Sequence, residues 1–322
     1  MAAKIAHVSL FKRYHNANYS PGGVERFGFF LKQAIPELEV YSIQDLPPEV
    51  NIALHTSQWE VAEYLNSWLL KEKLVDENTI VLADGWWVNG LQGKVARLIS
   101  VVHGTYTSTA IEHEKSPFDE PHTLEFGVEQ DKIWNDDRVE VVAVSKRTAF
   151  ELQHQSNIKP DAIIEHGIPL DIYKPDRKPK NRLILHVATS LRKGKDTVAE
   201  INAMNEFKIE QLGFAPNGDM EEEARLWNRG GIFFAPTRFE GNSYALLEAI
   251  ACGLVPVSYA TGFAYDIPCD VGLVTDDYHT KNFVTLLKEA SEFYSQFMPA
   301  EWAKEHIGFD RFAKRWRAYL DD

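Results

Sequence analysis

Cysteine is almost absent from this chain. Cys252 and Cys269 are the only two in 322 residues, which leaves neither a disulfide framework nor a cysteine metal cluster. Cys252 lies among small apolar residues and reads as packing. Long apolar runs are missing as well, and none approaches the ~20 residues that cross a bilayer. The amino terminus, Met-Ala-Ala-Lys-Ile-Ala-His-Val-Ser-Leu, runs into a strand pattern rather than a cleavable leader, so the sequence predicts a cytoplasmic protein. Basic charge is in deficit: 34 Lys and Arg against 47 Asp and Glu give a net charge of −13. That balance disfavours broad contact with a nucleic-acid backbone, though a local basic patch could survive it. No basic amphipathic helix marks a membrane surface, and there is no internal repeat or low-complexity segment. Runs such as Glu221-Glu222-Glu223 read as a solvated helix face.

What is present is a globular composition, 44% hydrophobic and 25% charged, on a chain long enough for two domains. Apolar runs alternate with helical patterns nearly throughout, which predicts parallel sheets covered by helices. Strands are expected over residues 5–10, 39–43, 51–55, 79–83, 98–103, 139–144 and 162–165, with helices over 24–34, 58–71 and 146–155. Residues 174–182, Lys-Pro-Asp-Arg-Lys-Pro-Lys-Asn-Arg, lack periodicity and make the best linker. Beyond them come strands 183–188 and 208–213, helices from about 195 and over 220–228, a strand over 271–275 and a long helix over 280–297. A terminal helix carries an aromatic stripe at helical spacing.

The segment from Phe233 to Ser258, F-F-A-P-T-R-F-E-G-N-S-Y-A-L-L-E-A-I-A-C-G-L-V-P-V-S, carries the most chemistry. An apolar run, an acidic loop, a small-residue helix closed by Gly253 and a second apolar run make a βαβ unit with a ligand crevice at its carboxyl end. Asn242 or Ser243 caps the helix, whose open N–H groups face the same crevice as Glu240. A carboxylate there suits sugar hydroxyls, and Glu248, eight positions on, suits a ribose diol. After the first strand, Pro21-Gly22-Gly23-Val-Glu-Arg26 opens a helix, and glycines there admit a ligand close to the backbone. Val101-Val-His103-Gly104-Thr105 ends a strand in a histidine. Arg192-Lys193-Gly194-Lys195 follows the strand of the second half, and a cation there can neutralise a departing phosphate. Lys12, Arg13 and His15 are close enough in sequence to face the same cleft.

Together these motifs resemble the retaining glycosyltransferases of family 4 (group 1), which have the GT-B fold. The resemblance covers most of the chain, weakly before Arg97 and strongly from Phe233 to Val257. It implies an α/β architecture of two Rossmann-like domains facing across a cleft: an acceptor domain over 1–173, a shortened nucleotide-sugar domain over 174–300, and a segment 301–322 crossing back to the first. It also implies the roles. Glu240 and Glu248 match the E-x7-E signature, holding the transferred sugar and the ribose. Lys193 matches the lysine that binds phosphate, with Arg192 beside it. Gly22 and Gly23 match the loop against the donor diphosphate and the acceptor, and His103 the histidine near the transferred sugar. Asn242, Ser243 and Tyr244 fall in the donor-binding helix start, and Gly262 in a turn near the donor. His103, Lys193 and Glu240 are then the catalytic set.

The implied activity is transfer of a sugar from a nucleoside diphosphate to an acceptor hydroxyl, with retention, no cofactor and no metal. Three departures stand out. Ala188-Thr189 occupy the place of the usual Gly-Arg, so one cation is missing unless Arg192 or Lys195 replaces it. His166 replaces the usual Asn ahead of the linker. Between Gly194 and Glu240 there is room for only one and a half strand–helix units, which leaves Phe214 as the candidate for base stacking. These departures keep open a degenerate, non-catalytic member that binds nucleotide sugar or glycan. A phage-type transferase acting on a hydroxylated DNA base is a further alternative, as is a GT-B epimerase or phosphorylase.

Overall fold

The structure is a computed structural model that describes residues 3–10, 23–47, 58–115, 123–176, 182–213 and 219–322. The expected strand at 51–55, Lys12, Arg13, His15, Gly22, Phe214 and most of the expected linker lie outside those residues. The first half runs β1 (Lys4–Val8), α1 (Gly23–Ala34), β2 (Glu39–Tyr41), α2 (Gln58–Lys71), β3 (Thr79–Asp84), β4 (Arg97–Val102), α3 (Tyr106–Lys115), α4 (Thr123–Trp134), β5 (Glu140–Ala143), α5 (Lys146–Gln155) and β6 (Ala162–Ile163). The second half runs β7 (Ile184–His186), α6 (Lys195–Ala203), β8 (Ile209–Gln211), α7 (Met220–Trp227), β9 (Ile232–Ala235), α8 (Tyr244–Ala251), β10 (Val255–Tyr259), β11 (Leu273–Thr275), α9 (Thr280–Glu292), α10 (Pro299–His306) and α11 (Phe309–Asp321).

Two sheets result, each wholly parallel. The first has the order β2-β1-β3-β4-β5-β6 and the second β11-β10-β9-β7-β8. Strand order reverses between β1 and β3 in one sheet and between β7 and β9 in the other. At such a switch point the loops leave the carboxyl ends in opposite directions and open a crevice for ligand. The central strands β3 and β10 are buried at every position, as parallel strands covered on both faces must be. One apolar layer runs without a break from Leu82 and Ile99 of the first sheet to Phe233 and Leu247 of the second half.

α11 lies against the first half of the chain. Its buried Phe312, Ala313, Trp316 and Leu320 form one stripe, with the Trp316 ring edge-on to Phe27. Arg317 Nε donates to the Ala34 carbonyl at 2.7 Å and Tyr319 Oη to Glu140 at 2.8 Å. The expected helix over 280–297 ends early, and a separate helix begins beyond it. α9 stops at Glu292, the chain turns through residues 294–296, and Pro299 starts α10 at its first turn, where a missing N–H costs nothing. α3 and α4 were not anticipated, because their apolar spacing is too sparse to read as a stripe. No helix among the described residues is long and apolar enough to cross a membrane.

Candidate active site

The switch point of the second sheet opens on a cavity of about 320 Å³. The loop after β7 supplies Ala188, Thr189 and Lys193, the loop after β9 supplies Glu240 and Asn242, and α8 contributes Ser243, Tyr244 and Glu248. From the first half, Gly23 and Arg26 of α1 close the same cavity. A second cavity of about 380 Å³ opens at the first sheet, lined by Asp84, Trp86, His103, Gln130 and, from the other half, Arg192 and Phe239. Gly23 borders both.

The sequence-predicted residues therefore divide. Lys193, Glu240, Asn242, Ser243, Tyr244 and Glu248 share the first cavity, whereas His103 and Arg192 face the second. Lys193 Nζ pairs with Glu240, and the Glu240 backbone N–H is fixed by Thr261 Oγ1 at 3.0 Å. Arg192 Nη1 donates to the Phe239 carbonyl at 3.0 Å. Asn242 spends its amide N–H on the Val144 carbonyl, at 2.9 Å, and so ties the loop to the first half. Ser243 is the N-cap of α8 and makes no side-chain cap bond. Tyr244 is buried and stacks on His166, with ring centroids 4.6 Å apart at 13°. Gly262 starts a short 3-10 turn against the backbone of Glu240 and Gly241.

Glu248 is 3% exposed. Its carboxylate pairs with Arg26 and accepts the Trp227 indole N–H at 3.2 Å. Arg26 also reaches Glu223 at 2.6 Å, and Glu223 accepts Tyr173 Oη at 2.7 Å. The solvated reading of Glu223 is overturned. It is 8% exposed and lies on the buried face of α7 with Ala224 and Trp227. The i, i+1, i+4 spacing to that alanine and tryptophan was the signal available in the sequence. Arg26, the last residue of the G-G-V-E-R motif, was not anticipated at this cavity.

At the second cavity, His103 and His7 both donate Nε2 to Asp84 Oδ1, at 2.9 and 3.2 Å. Burial alone would raise the Asp84 pKa, but charge on His7 and hydrogen bonds from both imidazoles outweigh it and hold it at about 2. Asp84 is thus a fixed anion beneath His103. Burial, with His103 nearby, holds His166 well below the ordinary histidine range, so it is a neutral ring packed between Tyr244 and Phe27. Asp84 and His7 were missed, since neither is marked by a motif.

The loop after β9 is rigid for identifiable reasons. Arg238 forms a two-pronged pair with Asp196, at 2.9 and 2.7 Å, and its guanidinium stacks 4.5 Å from the Tyr278 ring centroid. Gly194 has φ +80, and a Cβ there would overlap the Pro236 carbonyl. Gly241 presses on the His103 carbonyl so closely that no side chain fits between the two halves. Among the described residues no group of three or more His, Cys, Asp or Glu side chains is placed to hold a metal ion.

The sequence matches no protein-family model and no curated protein. Solved structures do resemble the chain over nearly its whole length. A sucrose-phosphate synthase from Thermosynechococcus elongatus superposes with a TM-score of 0.73 at 14% identity, covering 98% of each chain. A glycosyltransferase from Rickettsia africae gives 0.63 at 15% identity, covering 98% of this chain and 97% of its own. Anabaena HepE, solved with UDP, gives 0.61 at 13%, covering 99% of each. The fold is GT-B: two parallel-sheet α/β domains facing across a cleft.

Proposed function

We propose that this chain is a retaining glycosyltransferase that takes a sugar from a nucleoside diphosphate and gives it to an acceptor hydroxyl without a metal ion. The observation that carries the reading is the first cavity. It gathers Lys193, Glu240 and Glu248 at the switch point of one sheet and meets, at Gly23, a second cavity at the switch point of the other. Similarity to glycosyltransferase structures, one of them holding UDP, supports the same reading.

In this scheme the donor lies in the first cavity. Glu248 takes the ribose diol and Glu240 the hydroxyls of the transferred sugar. The bond from the anomeric carbon to the leaving phosphate oxygen breaks as Lys193 neutralises the charge that builds there. The acceptor hydroxyl, held in the second cavity by His103 on its Asp84 support, attacks from the same face. Its proton passes to the departing phosphate oxygen, so no second carboxylate is needed as base. The products are the glycosylated acceptor and a nucleoside diphosphate. The reaction belongs to the glycosyl-transferring class, and nucleotide sugar and acceptor are the only partners it requires.

Calorimetric titration with uridine-, guanosine- and adenosine-diphosphate sugars, in chelator, tests the reading. One donor should bind saturably and Lys193→Ala should weaken it about tenfold or more, the scale of a lost charge-assisted bond. A folded protein that binds none of them would remove the donor site and with it the activity. NMR of the product anomer decides retention.

A further inference from the structure

The resemblance implies two cations at the donor diphosphate, yet Ala188 and Thr189 stand where the first should be. Both line the first cavity, so the gap is at the site itself. Arg192 does not fill it, because it lines the other cavity and is held on the Phe239 carbonyl. Among the described residues, the cationic side chains lining the first cavity are Lys193 and Arg26, and Arg26 arrives from the opposite domain. Arg26 lies three residues after Gly23, on the same face of α1, and Gly23 borders the cavity too.

We infer that Arg26 is the second diphosphate-binding cation, released from Glu248 to the phosphates when the donor enters. The inference rests on the nucleotide-sugar reading given above. Charge supports the exchange. Among the described residues the cavity is lined by three carboxylates, Glu223, Glu240 and Glu248, against two cations, Arg26 and Lys193. A diphosphate enters such a site only if both cations turn to it and the carboxylates find other hydrogen-bond donors. The ribose diol supplies them to Glu248 and the sugar hydroxyls to Glu240, while Glu223 keeps the Tyr173 hydroxyl. A guanidinium suits the exchange, since its planar fork grips a carboxylate and a phosphate alike. A buried ion pair adds little net stability over apolar packing, so a cross-domain triad set inside the cavity is better explained by the ligand it meets.

The test compares each nucleoside diphosphate (uridine, guanosine, adenosine) with its parent nucleoside, the diphosphates by calorimetry and the nucleosides by ligand-observed NMR. Arg26→Ala should weaken the diphosphate that wild type binds by ~10- to 100-fold, the range of a charge-assisted hydrogen bond. Nucleoside binding should hold or tighten, since Glu248 is released. Arg26→Lys should recover part of the loss, since it keeps the charge without the planar fork. If Arg26→Ala does not fold, Arg26→Met with Glu223→Gln spares the site one unpaired buried carboxylate and should lose the same discrimination. Equal weakening of nucleoside and diphosphate would make Arg26 merely structural, and no weakening of either would free it from the site; both overturn the inference and leave the donor site standing. Failure of wild type to bind any diphosphate overturns the donor site and the inference together.

Discussion

Glu240 and Glu248 lie eight residues apart on one loop-and-helix segment, and each holds a cation, but their surroundings differ. Glu248 and Arg26 have side chains 4% and 9% exposed, with Trp227 as a third partner. Glu240 and Lys193 are 23% and 25% exposed. The first pair joins the two domains through their shared apolar layer, and the second stands at the rim of a loop. A buried pair is expensive to break from one side, because the remaining charge is stranded. A half-open pair has water as an alternative partner and contributes little. In the proposed reading, one loop-and-helix segment thus combines a residue that would support both fold and ligand with a residue that would serve the ligand alone.

The largest effect should come from breaking the buried side. Glu248→Ala leaves Arg26 with Glu223 and takes the acceptor from the Trp227 indole N–H, and should cost about 2–4 kcal/mol of stability, read as a shift of the urea midpoint at unchanged slope. Glu248→Gln keeps an acceptor for Trp227 and should cost less. Unfolding of the alanine variant at the wild-type midpoint would erase the distinction between the two glutamates.

Lys193→Ala should do the reverse. Its stability should stay within about 1 kcal/mol of wild type, while kcat/KM falls ~100- to 1000-fold, the usual cost of losing one group that stabilises transition-state charge. A large stability loss with modest kinetic change would place Lys193 with the buried pair instead.

Asp84 extends the comparison to a buried carboxylate whose partners are histidines. Its pKa is about 2 in the folded protein against 3.8 for the free side chain. The depressed value means a contribution to stability present above pH ~4 and lost as pH falls toward 2, worth about 2 kcal/mol from a shift of this size. Asp84→Asn should flatten that part of the acid-unfolding curve. A variant that loses stability with the same acid slope as wild type would assign the slope to other carboxylates.

The fold was readable because its signals are local and periodic. Every observed strand coincides with an expected apolar run, and the break between α9 and α10 was missed only because apolar spacing continues past Glu292 toward Pro299. The second cavity was less legible. His103 stood out at a strand end, but Asp84 and His7 sit 19 and 77 residues from their partners in the chain, and only strand order unites them. Glu223 shows a different limit: charge composition argued for solvent, and the stripe it shares with Trp227 argued for burial. The pairing of Arg26 with Glu248, 222 residues apart, belongs to the contact between two domains, which no local pattern encodes.

The smallest effect is the most direct measure of the contrast. Glu240→Gln should change stability by less than about 1 kcal/mol, because Lys193 can turn to water and the Glu240 backbone remains held by Thr261. A double-mutant cycle on Lys193→Met and Glu240→Gln should return a coupling energy near zero to 1 kcal/mol, weakening further in salt, since the pair is partly screened. The same cycle on Arg26→Met and Glu248→Gln should return a larger coupling that salt changes less, because the pair is only 9% and 4% exposed. Equal couplings with equal salt dependence would mean that the two pairs share one environment, and that Arg26 is no more committed to Glu248 than Lys193 is to Glu240.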